Sequence, residues 1–191
     1  MAYAAKDYSH LIGMQGFSET LLRNHFTLYQ GYVTNTNRVL DTLAQLLKDG
    51  KTATPEYAEL KRRMGFEFNG MRLHEYYFEN LGGKGGAASS KLAQKMAEDF
   101  GGVDAWEADF RATGSMRGIG WVVLYQDTAA GRLLNQWINE HETGHPAGCQ
   151  PLLVMDVFEH AFMTDYGLKR ADYIQAFFGN IDWGAVEARL R

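Results

Sequence analysis

The sequence predicts an α+β fold, with an N-terminal antiparallel helical hairpin ahead of a part that combines several helices with few strands. Three observations carry this. Apolar side chains recur at helical spacing through the first half, and a Gly-rich stretch interrupts the chain near its middle. Beyond it, short β-branched and aromatic runs alternate with helical patterns.

Ser18 is a candidate N-cap with Glu19 behind it, and from there to about Lys48 there is no proline and only one glycine, Gly31. Leu21, Leu22, His25, Leu28, Tyr29, Tyr32 and Val33 fall at helical spacing, and Asp49-Gly50 ends the run. Thr54-Pro55-Glu56 supplies a cap, a first-turn proline and a first-turn acid for a second helix that reaches about Leu81. Two long helices joined by so short a link lie antiparallel. The stretch from Gly82 to Ser90 reads as a linker. It resembles a phosphate loop only superficially, because it follows a helix and Lys84 lacks the Ser or Thr at the required spacing.

Short helices are predicted over Ser90–Phe100 and Asp104–Ala112, and strands over Gly120–Tyr125 and Gly131–Ile138 around a turn at Asp127, Ala130 and Gly131. Pro151–Met155 is a short buried-strand candidate, Val157 to Phe178 reads as helical, and a last short helix follows Trp183. The division is therefore 1–82 for the hairpin domain, 83–90 for the Gly/Ser-rich linker and 91–191 for the α+β domain.

Composition limits function. With 191 residues, 46% hydrophobic and 22% charged, the chain suits a soluble globular protein. A net charge of −4 with no basic run argues against nucleic acid as a partner, and no apolar stretch approaches the ~18 residues that span a bilayer. The N-terminus lacks the apolar core of a secretory signal, and Cys149 is the only cysteine, so a cytoplasmic protein is expected.

Asp156-Val-Phe-Glu-His160, directly after a strand candidate, places a carboxylate and an imidazole on one face of a helical turn. The competing reading is an Asp cap with a core histidine. His25 and His74 sit on the two hairpin helices among aromatic and aliphatic neighbours, so both point inward. Together the four form a convergent His₃Asp set suited to Fe, Mn or Zn. His141-Glu142-Thr143-Gly144-His145 matches the HExxH zinc-protease pattern, but Gly144, Pro146 and Gly148 oppose a helix there. The third metzincin histidine would fall at Pro151. The match reads as a loop coincidence.

In this order the residues resemble the iron/manganese superoxide dismutase family, from about Phe17 to Trp183. The resemblance rests on His25 with Tyr32-Val-Thr-Asn-Thr-Asn37, Phe68-Asn69 through His74 to Asn80-Leu81, and Gly118-Ile-Gly-Trp121. It continues in Asp156-Val-Phe-Glu-His160-Ala161, Asp165-Tyr166, Arg170, Asp172-Tyr173 and Asn180-Ile-Asp-Trp183. It implies a helical hairpin followed by an α+β domain with a small three-stranded antiparallel sheet. It also implies one Fe or Mn ion held by His25, His74, Asp156 and His160, with superoxide disproportionated to dioxygen and hydrogen peroxide.

By the same resemblance, Tyr32 lies over the open face of the metal and Trp121 walls the site. His141 stands where other members carry a glutamine or histidine bonded to the metal's solvent, and Gly70 leaves the alternative glutamine position empty. Glu159 matches a residue that reaches the last histidine ligand of a second subunit, implying a homodimer or a tetramer. Arg170 matches an arginine near the substrate funnel. The pairing of His141 with Gly70 leans toward iron.

The chain departs from the family pattern in places. His25 precedes Tyr32 by seven residues where eight is usual, which fits a one-residue deletion in a regular helix. The family's second histidine in that helix is replaced by Leu28 or Tyr29, and its tyrosine partner across the dimer by Met163. Two family tryptophans are Phe78 and Phe158. The alternatives are a non-catalytic metal-binding or structural relative of the same fold and, behind it, a zinc hydrolase using His141, Glu142 and His145.

Overall fold

The computed structural model describes residues 2–88 and 90–191; Met1 and Ser89, the latter within the predicted linker, lie outside the described residues. Helix α1 spans Glu19–Lys48 and α2 Pro55–Glu79. The Ser18 hydroxyl accepts from the Leu21 amide at 3.0 Å and that of Thr54 from Tyr57 at 3.3 Å, so both predicted caps form. A cap of this kind contributes about 1 kcal/mol. The two helices pack along their length as a hairpin. Helix α1 is α-helical throughout, including the turns between His25 and Tyr32.

Helices α3 (Ser90–Phe100) and α4 (Val103–Gly114) lead into a three-stranded antiparallel sheet of β1 (Gly120–Asp127), β2 (Leu133–Asn139) and β3 (Cys149–Asp156), with β1 at the centre. Trp121 pairs with Ile138 on one side and Asp156 on the other, which sets the end of β3 beside Trp121. The central strand is buried on both faces, as its near-continuous apolar run requires. Its outer cover is α4, where Trp106 and Phe110 are fully buried.

The segment after β3 corrects the predicted helix from Val157 to Phe178. Val157 continues the sheet by donating to the Gly120 carbonyl at 2.9 Å. A 3₁₀ turn follows at Glu159–Ala161, and Phe162 leaves helical angles with φ −145°. Short α5 (Met163–Tyr166), α6 (Arg170–Gly179) and α7 (Trp183–Glu187) complete the chain. Helix α2 also ends two residues before the predicted Leu81, which instead bridges to Ile181.

The Gly-rich stretch lies against the C-terminal helices. Gly83 donates to the Asn180 carbonyl at 3.1 Å, and the Trp183 indole donates to the Gly86 carbonyl at 3.1 Å. Asn80, at the end of α2, exchanges two hydrogen bonds with the backbone of Val154 in β3. The hairpin is thereby fixed against the sheet, and one cluster of buried side chains runs through both.

Candidate metal centre

Four elements converge where the hairpin meets the end of β3. His25 comes from α1, His74 from α2, Asp156 from the last position of β3 and His160 from the 3₁₀ turn. One donor atom of each lies within 4.8 Å of the others, and this is the only such group of three or more His, Cys, Asp or Glu among the described residues. His25 Nε2 is 3.1 Å from Asp156 Oδ2, His160 Nε2 3.0 Å and His74 Nε2 3.7 Å. The relation of Asp156 to His160 is not the helical one that their spacing suggested. A strand end and a tight turn bring them together, and the Asp156 Oδ1 atom accepts from the Phe158 amide at 2.9 Å to hold that turn.

His74 tests whether the cluster suits a cation. Its Nδ1–H donates to the Gly70 carbonyl at 2.5 Å, so the neutral ring presents a lone pair at Nε2. That nitrogen is buried, has no hydrogen-bond partner and faces a carboxylate oxygen. Two electron-rich atoms so placed call for a cation between them. Three imidazoles and one carboxylate fit Fe, Mn or Zn.

Burial lowers the basicity of both hairpin histidines, His74 well below the ordinary value, helped by neighbouring His25. Burial alone would raise Asp156, but the charges and hydrogen bonds of His160 and His25 outweigh it and hold the carboxyl far below the usual range. Neutral His25 and His74 beside an ionised Asp156 is the protonation state in which these three donate to a metal. His25, His74 and Asp156 are fully buried, whereas the His160 side chain is 27% exposed and marks the accessible side.

Aromatic groups enclose the cluster. The Tyr32 ring stacks on His74 with centroids 5.2 Å apart, and Phe78 meets His25 edge-on at 4.9 Å. Trp121 stands edge-on to His74 at 5.0 Å. Its indole N–H donates to His141 Nδ1 at 3.0 Å, so His141 carries its proton on Nε2 and donates it to the Tyr32 hydroxyl oxygen at 2.7 Å. The Tyr32 proton is then free to point elsewhere. His141 is fully buried despite lying on a loop, and burial brings its pKa down to about 4. Burial, with Asp156 nearby, pushes Tyr32 up to about 12.

His141 and His145 share no helix, since the chain between them forms a turn closed by the pairing of Asn139 with Thr143. Both His145 ring nitrogens are engaged, by the Tyr125 hydroxyl and the His141 carbonyl. The zinc-hydrolase alternative therefore has no site.

The sequence profile of the iron/manganese superoxide dismutase C-terminal domain matches residues 88–189. An iron superoxide dismutase of Cupriavidus metallidurans is 40% identical over 93% of this chain and 90% of its own length. One of Aquifex pyrophilus is 39% identical over 97% of this chain and 89% of its own. The chain belongs to the iron/manganese superoxide dismutase family. A manganese superoxide dismutase of Haloferax volcanii is also similar, at 34% identity over 90% of this chain and 85% of that one, so relatives of both metal types lie at comparable distance.

Among superoxide dismutase features, Tyr32, His141 and Trp121 gather beside the four-residue cluster, whereas Glu159 and Arg170 do not. Those two line an outer cleft of about 820 Å³, with Met116, Met163 and Leu168 around it. Arg170 donates to the carbonyls of Met116 and Gly118. Tyr29, one of the two residues at the place of the missing second histidine, donates to buried Glu75 at 3.0 Å. Sequence reasoning missed Phe66, whose ring lies edge-on to His141 at 4.6 Å. An aromatic residue two turns before His74 carries no signal that would separate it from a core residue.

Proposed function

We propose that the protein is a superoxide dismutase that converts two superoxide anions and two protons to dioxygen and hydrogen peroxide, with His25, His74, Asp156 and His160 as the ligands of one iron or manganese ion. The observation that carries this is the four-donor cluster, with the unpartnered His74 nitrogen aimed at Asp156. When bound, the ion supplies one-electron exchange between its +3 and +2 states, which Zn cannot. The protein supplies the rest. Burial of three of the four ligands excludes water from the inner side, leaving approach from the His160 side. Trp121 orients His141, and His141 donates to the Tyr32 oxygen, so the Tyr32 hydroxyl keeps its own proton free to be donated. With a pKa of about 12, Tyr32 stays protonated at neutral pH.

Iron is the preferred metal, supported by the combination of His141 with Gly70. The Tyr32 ring occupies the space beside Gly70, where an added Cβ would lie 2.6 Å from Tyr32 Cδ1. A glutamine at position 70 is thereby excluded unless Tyr32 moves. The working form is a cytoplasmic homodimer whose partner covers the cleft at Glu159 and Arg170. Support comes from exposed Met116, Met163 and Leu168 around that cleft, of which Leu168 is 91% exposed.

Metal-free protein reloaded separately with iron, manganese and zinc, then mixed with superoxide in stopped flow, tests the reading. Superoxide loss in proportion to bound iron or manganese, with none for zinc, is the expected result. Full iron and manganese occupancy without superoxide loss would reduce the chain to a metal-binding relative.

A further inference from the structure

The HExxH match leaves His145 without a role in metal binding, yet its surroundings are specific. His141 sits on a loop but is fully buried, so the loop must be held against the sheet. Glu140, just before it, adopts a left-handed backbone with φ +51°, a conformation that a non-glycine residue keeps only when its neighbours enforce it. Asn139 and Thr143 exchange backbone hydrogen bonds of 2.8 and 3.3 Å across the turn. Gly144, at φ +108°, then swings the chain back under Trp137, where an added Cβ would lie 2.9 Å from the Trp137 carbonyl oxygen.

That reversal delivers His145 to the backbone of His141. His145 Nε2 is 2.9 Å from the His141 carbonyl oxygen, and its Nδ1 is 2.6 Å from the hydroxyl of Tyr125 in β1. A carbonyl only accepts, so Nε2 carries the proton and donates to it, while Nδ1 pairs with the Tyr125 hydroxyl. A chain of hydrogen bonds therefore runs from Tyr125, toward the C-terminal end of the central strand, through the His145 ring to the peptide unit of His141. From there the His141 ring links Trp121 to Tyr32.

We propose that His145 is a positioning residue for the reaction, bracing the His141 backbone against Tyr125 so that the His141 ring bridges Trp121 and Tyr32. The spacing of the protease pattern serves a different end here, with the second histidine fixing the first. The proposal rests on the dismutase reading for its effect on turnover but not for its effect on structure.

The test compares metal-loaded wild type with His145→Ala, His145→Gln and Tyr125→Phe. It measures metal content, kcat and KM for superoxide, and the indole N–H band of Trp121 in ultraviolet resonance Raman difference spectra. Glutamine keeps an N–H near the Nε2 position. The expected result for His145→Ala is unchanged metal content, kcat lowered by about tenfold with KM little altered, and an indole band shifted toward a weaker hydrogen bond. His145→Gln restores both readouts, and Tyr125→Phe shifts the band in the same direction by less. Should His145→Ala fail to fold, the other two variants carry the test through the same band. An unshifted band in His145→Ala and Tyr125→Phe, or no restoration by glutamine, overturns the brace. A shifted band in a protein whose wild type does not consume superoxide would sink the dismutase reading while leaving the brace standing.

Discussion

His74 Nε2 lies 3.7 Å from Asp156 Oδ2, buried and with no hydrogen between them. The other ring nitrogen of His74 is committed to the Gly70 carbonyl, so only an added cation relieves the opposition. Replacing His160 or His74 by alanine should take bound iron or manganese from near full occupancy to near zero. Replacing His145 by alanine should leave it intact, because that ring faces Tyr125 and not the cluster. Elemental analysis of the three purified variants decides the matter, and loss of metal from His145→Ala alone would reverse the assignment of the two histidine groups.

Tyr32→Phe removes the hydroxyl to which His141 donates and leaves the ring stacked on His74. Metal content should hold while kcat falls by about tenfold to a hundredfold, within the range of proton-transfer contributions. Stopped-flow decay of superoxide measures it, and an unaltered kcat would mean that the proton comes from elsewhere.

Gly70→Ala sets two effects against each other. In a free helix the change would stabilise by about 1 kcal/mol. Here the new Cβ would lie 2.6 and 2.8 Å from Tyr32 ring carbons, and overpacking of that kind costs about 1–3 kcal/mol. The clash wins, so the thermal midpoint should drop and Tyr32 should lose its place against His141. A rise in the midpoint would show that the ring moves aside freely.

Acid should weaken the fold through His141. Its folded pKa of about 4 lies below the ordinary imidazole value of about 6.5. Below pH 6.5 the unfolded chain binds a proton that the folded one refuses, so stability falls with pH from about 6.5 down to about 4. At pH 5 the loss is on the order of 2 kcal/mol relative to neutral pH, and a bound cation acts in the same direction. Urea midpoints at pH 7.5 and 5 for wild type and His141→Gln test this: the variant should lose less on acidification. Equal losses would place the acid sensitivity elsewhere.

The hairpin was legible because its caps and apolar spacing are local, and Ser18 and Thr54 cap as their positions imply. The strands were legible from β-branched runs. The stretch after Asp156 was not, because Val157 stays in the sheet through a bond to distant Gly120 that no local pattern announces. The cluster could be assembled from residue types and order, but its geometry could not. The Asp156–His160 spacing suggested a helix, whereas a strand end and a 3₁₀ turn achieve the contact. His145 was dismissed with its motif, since its partner Tyr125 lies twenty residues away on another element.

The central claim is that His25, His74, Asp156 and His160 close around one redox-active ion. Anomalous scattering from crystals of the iron- or manganese-loaded protein, recorded at the metal's own edge, tests it most directly. The account predicts a single peak per chain bounded by the Nε2 atoms of the three histidines and Oδ2 of Asp156. A peak beside His141 and His145, or a His25 ring turned away from the ion, would contradict it.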